Sequence, residues 1–229
     1  MALTVNNLTG FGANVRSQLP AFIPMDSFWR NMHSSGNNQT IYTFSATFGT
    51  ANPSKMAIVA VCTRGEPPPN SVTVGGEGLD LMVSNVDGDA SVSIWAGIIT
   101  VGSTQDIVVT FAAGAFDCSV GAWTVIDQSP ERMEFRATAS EVVTDGSPGV
   151  QMPIETWAGG VLYCAVWQDG LQLMAWGGGP IEDDQAVVDE DRQGYASMEP
   201  SDGITDTTVT VGITYSGSAN AIACAVSFR

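Results

Sequence analysis

Carboxylates are the commonest side chains in this sequence that could do chemistry. "NVDGD" at 85–89 sets Asn85, Asp87 and Asp89 at alternate positions, like the opening of a calcium loop. An EF-hand loop needs glycine at its sixth position and a bidentate glutamate at its twelfth. Here Gly88 comes too early and Ala96 occupies the twelfth position. The stretch reads instead as an Asp-Gly hairpin turn. A second group, Glu182, Asp183, Asp184, Asp189, Glu190 and Asp191, lies within "IEDDQAVVDEDRQG". Such density can hold Ca²⁺, yet a solvated acidic loop accounts for it, and no metal ligand is assigned.

Nucleophilic chemistry finds little support. His33 is the single imidazole, and no G-x-S-x-G elbow, phosphate-binding G-x-x-x-x-G-K-[ST] loop or strand–G-x-G-x-x-G–helix motif occurs. Paired carboxylates for glycoside hydrolysis stay open, because 24 acidic residues allow too many pairs. Cys62, Cys118, Cys164 and Cys224 are far apart, form no C-x-x-C pair, and each sits in an apolar run. Buried, reduced thiols are expected, without zinc. Of the six tryptophans (Trp29, Trp95, Trp123, Trp157, Trp167 and Trp176), four lie in strand-like apolar runs. Core positions are therefore expected for most, whereas exposure along one face would make a sugar-stacking platform. The expectation is no enzyme, no catalytic residue and no cofactor.

The elements that would carry these groups are strands. The chain of 229 residues can bury a sizeable core, and its 44% hydrophobic and 14% charged composition argues against global disorder. Abundant Gly, Thr, Ser and Val favour strands and turns, and no window shows an apolar stripe at helical spacing. "QTIYTFSATFG" alternates, with Tyr42, Phe44, Ala46 and Phe48 on one face, and "TTVTVGITY" aligns Val209, Val211, Ile213 and Tyr215. "ASVSIWAGIITV" groups Val92, Ile94, Ala96 and Ile98. "MAIVAVC" and "GGVLYCAVW" are apolar throughout, as central strands covered on both faces are. "RGEPPPNSV" reads as an exposed loop, since consecutive prolines lack the N–H donors that a sheet requires.

The net charge of −16 opposes binding to nucleic-acid phosphates. No apolar run reaches membrane-spanning length, and the first residues lack a charged-then-apolar export signal. Synthesis in a cytoplasm, with no membrane and no nucleic-acid partner, is the expectation.

An internal echo organises the chain. "AIVAVCTRG" (57–65) parallels "LYCAVWQDG" (162–170), and "GLDLM" (78–82) parallels "GLQLM" (170–174). Trp95-Ala96 parallels Tyr195-Ala196, "DIVVTF" parallels "TTVTVGIT", and "CSV" (118–120) parallels "CAV" (224–226). The matches keep one order, and the length differences fall in Gly, Pro and Asp-rich stretches where insertion costs little. The expected fold is an all-β, jelly-roll-like β-sandwich of two internally similar halves, 39–128 and 159–229, joined by a connecting segment at 129–158. Residues 1–38 are polar and aperiodic, with Pro20 and Pro24, and are read as an extended N-terminal arm. Phe11, Phe22, Phe28 and Trp29 are its candidate subunit contacts.

"KMAIVAVCTRG", "SVTVGGEGLDLM", "SIWAGIITVGSTQDIVVTF" and "AIACAVSFR" together resemble β-rich structural proteins of tailed bacteriophages and related gene-transfer particles. The resemblance covers the chain from residue 55 onward and transfers no functional residue. It implies a virion structural protein assembled in a bacterial cytoplasm, most simply a capsid decoration or cement protein. The partners it implies are the major capsid protein or other virion subunits, with self-association as a homo-oligomer, a trimer favoured. The alternative is a receptor- or carbohydrate-binding β-sandwich module of a tail fibre or head spike.

Overall fold

The structure, a computed structural model, describes the backbone of residues 23–228 except 66–67, 89, 127–134, 145–148, 189, 199–206 and 217–218. Side chains are described for the same residues except 23–37, 126 and 188. Every helix or strand among the described residues is a strand. In the first part of the chain these are β1 (Ile23–Thr47), β2 (Lys55–Arg64), β3 (Ser71–Val74), β4 (Glu77–Gly78), β5 (Asp80–Asp87), β6 (Ala90–Ile98) and β7 (Thr104–Ile126). In the second they are β8 (Phe135–Val143), β9 (Gly149–Thr156), β10 (Val161–Gln168), β11 (Met174–Gly177), β12 (Ile181–Val188), β13 (Asp191–Met198), β14 (Thr207–Tyr215) and β15 (Ala221–Phe228). All pairings are antiparallel, and the fold is all-β and sandwich-like.

In the first half a single sheet runs β4-β3-β7-β2-β6-β5, with β1 added to β7. Strand β7 serves two layers. Its Thr104–Thr110 stretch lies between β3 and the later part of β1, and its Asp117–Ile126 stretch lies between β2 and the earlier part of β1. The sheet therefore curls onto itself, and the apolar faces of the two layers meet in a core. Tyr42, Phe44 and Phe48 of β1 and its following turn pack there with Val59 and Val61 of β2, Trp95 of β6 and Val109 of β7. At the corner, a Cβ on Gly114 would lie 2.4 Å from the Asn38 Cβ, so the two chains can cross there only because position 114 has no side chain.

The second half builds the same two layers from separate sheets, β12-β13-β10-β15-β8 and β11-β14-β9. Their shared core holds Met152, Leu162, Cys164, Val166, Val211 and Ile213. Strand for strand, β5-β6-β2-β7-β1 matches β12-β13-β10-β15-β8, and β3-β7-β1 matches β11-β14-β9. The order along the chain agrees as well. The two halves are thus internally similar in topology, with β1 standing for β8 plus β9 and β7 for β14 plus β15.

A third core joins the halves. Met56, Ile58 and Ala60 of β2, Val92 and Ile94 of β6, and Trp123 of β7 pack against Tyr163 and Ala165 of β10, Tyr195 of β13, and Ile222 and Val226 of β15. The result is four stacked layers with three apolar interlayers. Strands β2 and β10 are buried from end to end, save Arg64, because each is central in its sheet and covered on both faces. Across the joint β1 meets β12 while β5 meets β8, and β6 meets β15 while β7 meets β13. Each contact recurs with the partners' roles exchanged, as in an isologous twofold interface, and β2 lies on its own counterpart β10.

The echoes hold at the level of strands but only partly at the level of residues. Ala60 and Ala165 both face the joint, and Val61 and Val166 both face inward. Cys118, however, faces the inner core of its half while Cys224 faces the joint, and Trp95 and Tyr195 differ in the same way. Those matches are out of register, and in a strand an odd slip reverses the face. The "GLxLM" pair also fails: residues 78–82 lead into β5, whereas 170–174 lead into β11, the counterpart of β3.

Two stretches differ from their reading in the sequence. Residues 129–158 carry β8 and β9, full members of the second half. Residues 23–38 lie within β1, where Pro24 stands opposite Val125 and Ser34 opposite Asp117. Pro24 is tolerated at the beginning of a strand, where a missing N–H costs least.

Candidate functional site: a cleft between the halves

Where the joint reaches solvent at one end, a cleft of about 260 Å³ opens between the two halves. The first half contributes Arg64 from the end of β2, Asp87 and Gly88 from the β5–β6 turn, and Ala90. The second contributes Trp167 near the end of β10, Asp169, Asp191 at the beginning of β13, and Asn220 just before β15. These groups converge because β2, β6, β10, β13 and β15 all have an end there.

Arg64 lines the cleft with its side chain half exposed. Its Nη1 lies 3.5 Å from the Asp191 carboxylate, whose side chain is 3% exposed, and its backbone N–H donates to Asp117 Oδ1 at 2.8 Å. Asp117 is fully buried. One buried carboxylate, Asp191, therefore faces the half-exposed guanidinium, while the other, Asp117, holds the Arg64 backbone. Beside them, the Asp169 N–H donates to the Asn220 carbonyl at 2.9 Å, which ties the loop after β10 to the approach to β15. Gln193 stands directly opposite Trp167 in the β10–β13 ladder and is fully buried. Neither end of its amide, nor the Trp167 Nε1–H, has a hydrogen-bond partner among the described residues.

Deeper in the joint the polar groups are paired. The Ser119 and Tyr195 hydroxyls lie 2.6 Å apart. The Trp123 Nε1–H donates to Asp183 Oδ2 at 2.9 Å, and the Ser197 hydroxyl donates to Asp183 Oδ1 at 3.1 Å. The Cys62 thiol donates weakly to the Val166 carbonyl and the Cys224 thiol to that of Val92. Burial pushes the Cys62 thiol up to about 12, with the Tyr195 hydrogen bond opposing the shift and Asp117 reinforcing it. Burial likewise raises Cys118, Cys164 and Cys224, and all four are free, buried cysteines. Since the thiolate is the nucleophile, these groups are unreactive at neutral pH.

The acidic residues at 182–191 belong to a hairpin. Glu182, Asp183 and Asp184 lie on β12, and Asp191 opens β13. The expected solvated loop is corrected on this point, because Asp183 is committed to Trp123 and Ser197 while Asp191 is buried beside Arg64. Among the described residues no group of three or more His, Cys, Asp or Glu is placed to hold a metal ion. The Asp87–Gly88 turn does link β5 to β6, with Gly88 in the left-handed region at φ 55°. Of the candidate subunit contacts, Phe11 and Phe22 lie outside the described residues. Phe28 and Trp29 lie on the backbone of β1, and their side chains are outside the description.

Sequence reasoning missed this cleft and its residues Arg64, Asp169 and Asn220, and it named Trp167 and Asp191 without bringing them together. One signal was available: the apolar runs of β2 and β10 each end in a polar cluster, "TRG" and "QDG". It also missed Lys55, the single lysine, which is fully buried and donates through Nζ to the carbonyls of Phe48, Thr50 and Val101. Searches with the whole chain match no family model, no curated protein and no solved structure.

Proposed function

We propose that the chain is a structural protein of a phage-like particle, a capsid decoration or cement protein that acts through contacts between subunits. The reading rests on the sequence resemblance and on the character of the fold. The four-layer stack buries all four cysteines and most of its described aromatic side chains in its cores. The observation that carries the preference over the receptor- or carbohydrate-binding alternative is the placement of the tryptophans. Trp95, Trp123 and Trp167 are buried, and Trp157 and Trp176 are half-buried, so no described tryptophan stands fully exposed on a face. A surface stacking platform needs the opposite. The major capsid protein or another virion subunit is the proposed partner, with self-association of this chain in the assembled particle.

The test is mass spectrometry of purified native particles, followed by a map of the particle surface. The expected result is a stoichiometric chain with four-layer density repeated over the head. Absence of the chain from washed particles overturns the proposal, and density confined to a tail tip moves the assignment to the alternative.

A further inference from the structure

We propose that the joint is a heterospecific interface, in which polar pairs along one flank direct each half to the unlike half and reject a like one. The inference stands apart from the particle reading, and either can fail without the other.

Ladder register fixes which residues of the two halves correspond. Ala60 stands opposite Ile94 and Gly121 in its two ladders, and Ala165 stands opposite Tyr195 and Cys224. A register shift falls at the same place in both edge strands, between Leu81 and Val83 in β5 and between Glu182 and Asp184 in β12. Tyr195 therefore corresponds to Ile94, Asp183 to Met82, and Asp191 to Ala90. On the other side of the central strands, Ile222 corresponds to Ser119, Val226 to Trp123, and Asp169 to Arg64. The two flanks of the joint then differ in kind. On one, the Ser119 and Tyr195 hydroxyls lie 2.6 Å apart, the Trp123 indole donates to Asp183, and Arg64 lies 3.5 Å from Asp191. On the other, where β15 meets β6 and β5, the corresponding positions hold Ile222 with Ile94, Val226 with Met82, and Asp169 with Ala90.

This placement decides what the joint accepts. In both charged contacts the donor comes from the first half and the carboxylate from the second. Two first halves face to face would set Ser119 on Ile94, Trp123 on Met82 and Arg64 on Ala90. Two second halves would set Tyr195 on Ile222, Asp183 on Val226, and Asp191 beside Asp169. Each mismatch occurs twice, because a twofold joint repeats every contact. A polar group buried against apolar surface without a partner is far more costly than either a matched polar pair or a matched apolar contact. Only the unlike combination matches all three levels. Polar marks of this kind select partners by penalising the wrong one.

Double-mutant cycles on the intact chain test the proposal, because a single substitution recreates a like-half contact inside the native joint. Tyr195→Ile alone sets isoleucine on Ser119, as two first halves would. Ser119→Ile alone sets isoleucine on Tyr195, as two second halves would. The two together copy the Ile94 and Ile222 contact of the opposite flank. In urea unfolding each single change is expected to lower the unfolding equilibrium in favour of the native state by about tenfold or more, and the double change to recover about tenfold relative to the summed losses. Ile94→Tyr with Ile222→Ser supplies an independent cycle, which copies the polar flank onto the apolar one and is expected to couple with the same sign. Recovery in either cycle supports the proposal, and a double variant that folds where one of its singles does not supports it equally. Losses that merely add in both cycles overturn it, as does failure of both double variants to fold.

Discussion

In the first half, single strands pass from one layer to the other; in the second, the chain breaks at each corresponding corner. Strand β7 continues through the corner at Ala112, Ala113 and Gly114, where its ladder with β1 is interrupted between Thr110 and Ala115 and then resumes, and the β1 register shifts between Ser34 and Ile41. The second half reaches the same arrangement with β14 and β15, separated by residues 216–220, and with β8 and β9, separated by residues 144–148. Small residues and a bulged register let a strand bend, whereas "TDGSPG" and "SGSAN" end one. The comparison teaches that this architecture is specified by which faces are apolar and which strands pair. Continuity of the chain at the corners is optional.

The comparison also sets the joint between the halves against the core within each half, and the largest expected effect probes that difference. Tyr195 is fully buried in the joint, bonded to Ser119 and packed edge-on against Trp123. Tyr195→Ala is expected to cost about 3–5 kcal/mol, the usual range for deleting a buried aromatic ring. Tyr42→Ala, in the inner core of the first half, is expected to cost a similar amount. Urea unfolding followed by tryptophan fluorescence distinguishes two cases. A single transition shifted by both changes means that the joint welds the halves into one cooperative unit. A transition that splits only in the Tyr42 variant means that the halves unfold separately.

A second effect follows from the thiols. A thiol raised in the fold gives its full contribution to stability below its ordinary value of 9.0 and loses it as pH rises toward the folded value. Cys62 alone, held up at about 12 by burial, is expected to cost about 1.4 kcal/mol of stability at pH 10, and Cys118, Cys164 and Cys224 shift in the same direction. Denaturant midpoints measured between pH 7 and 10.5 should fall steadily, and Cys62→Ala should make the decline shallower. A flat profile contradicts the burial of these groups.

Lys55 belongs to the first half alone, where its ammonium ties the β1–β2 turn to the β6–β7 turn. Lys55→Met keeps the stem and removes the donors, and is expected to cost about 1–3 kcal/mol through unsatisfied carbonyls. If the halves are separable, thermal melting should show the loss only in the transition of the first half.

The smallest expected effect lies at the edge of the joint. Asp183→Asn keeps one acceptor for the Trp123 indole and the Ser197 hydroxyl but removes the charge, and is expected to cost about 1 kcal/mol. Hydrogen exchange at the Trp123 indole N–H reports it directly. An unchanged exchange rate places the Asp183 contact outside the stabilising set.

Much of this fold was legible because alternation is a local property. Tyr42, Phe44, Ala46 and Phe48 are buried and Thr43 and Ser45 exposed, as the period-2 pattern requires. The unbroken apolar runs marked β2 and β10 as central for an equally simple reason: a strand covered on both faces has no polar face to show. The candidate site was less legible. Arg64 and Asp191 are 127 positions apart and meet only because the second half lies face to face on the first. In "IEDDQAVVDEDRQG" six acids look alike, and nothing in the sequence separates Asp183 and Asp191, which the joint commits, from Glu182 and Glu190, which stay exposed.

The sequence by itself determined that the chain makes strands, where most of them turn, which faces are apolar, and that one strand order occurs twice. Tertiary structure alone decided which buried face turns inward and which meets the other half. It therefore placed Cys118 in an inner core and Cys224 in the joint, although their surroundings in sequence are nearly the same. It also decided that Lys55, Asp117 and Asp191 would be buried. Hydrophobic periodicity records whether a side chain leaves water. Which neighbour it finds there depends on pairings between distant strands, and a one-residue change in register reverses the answer.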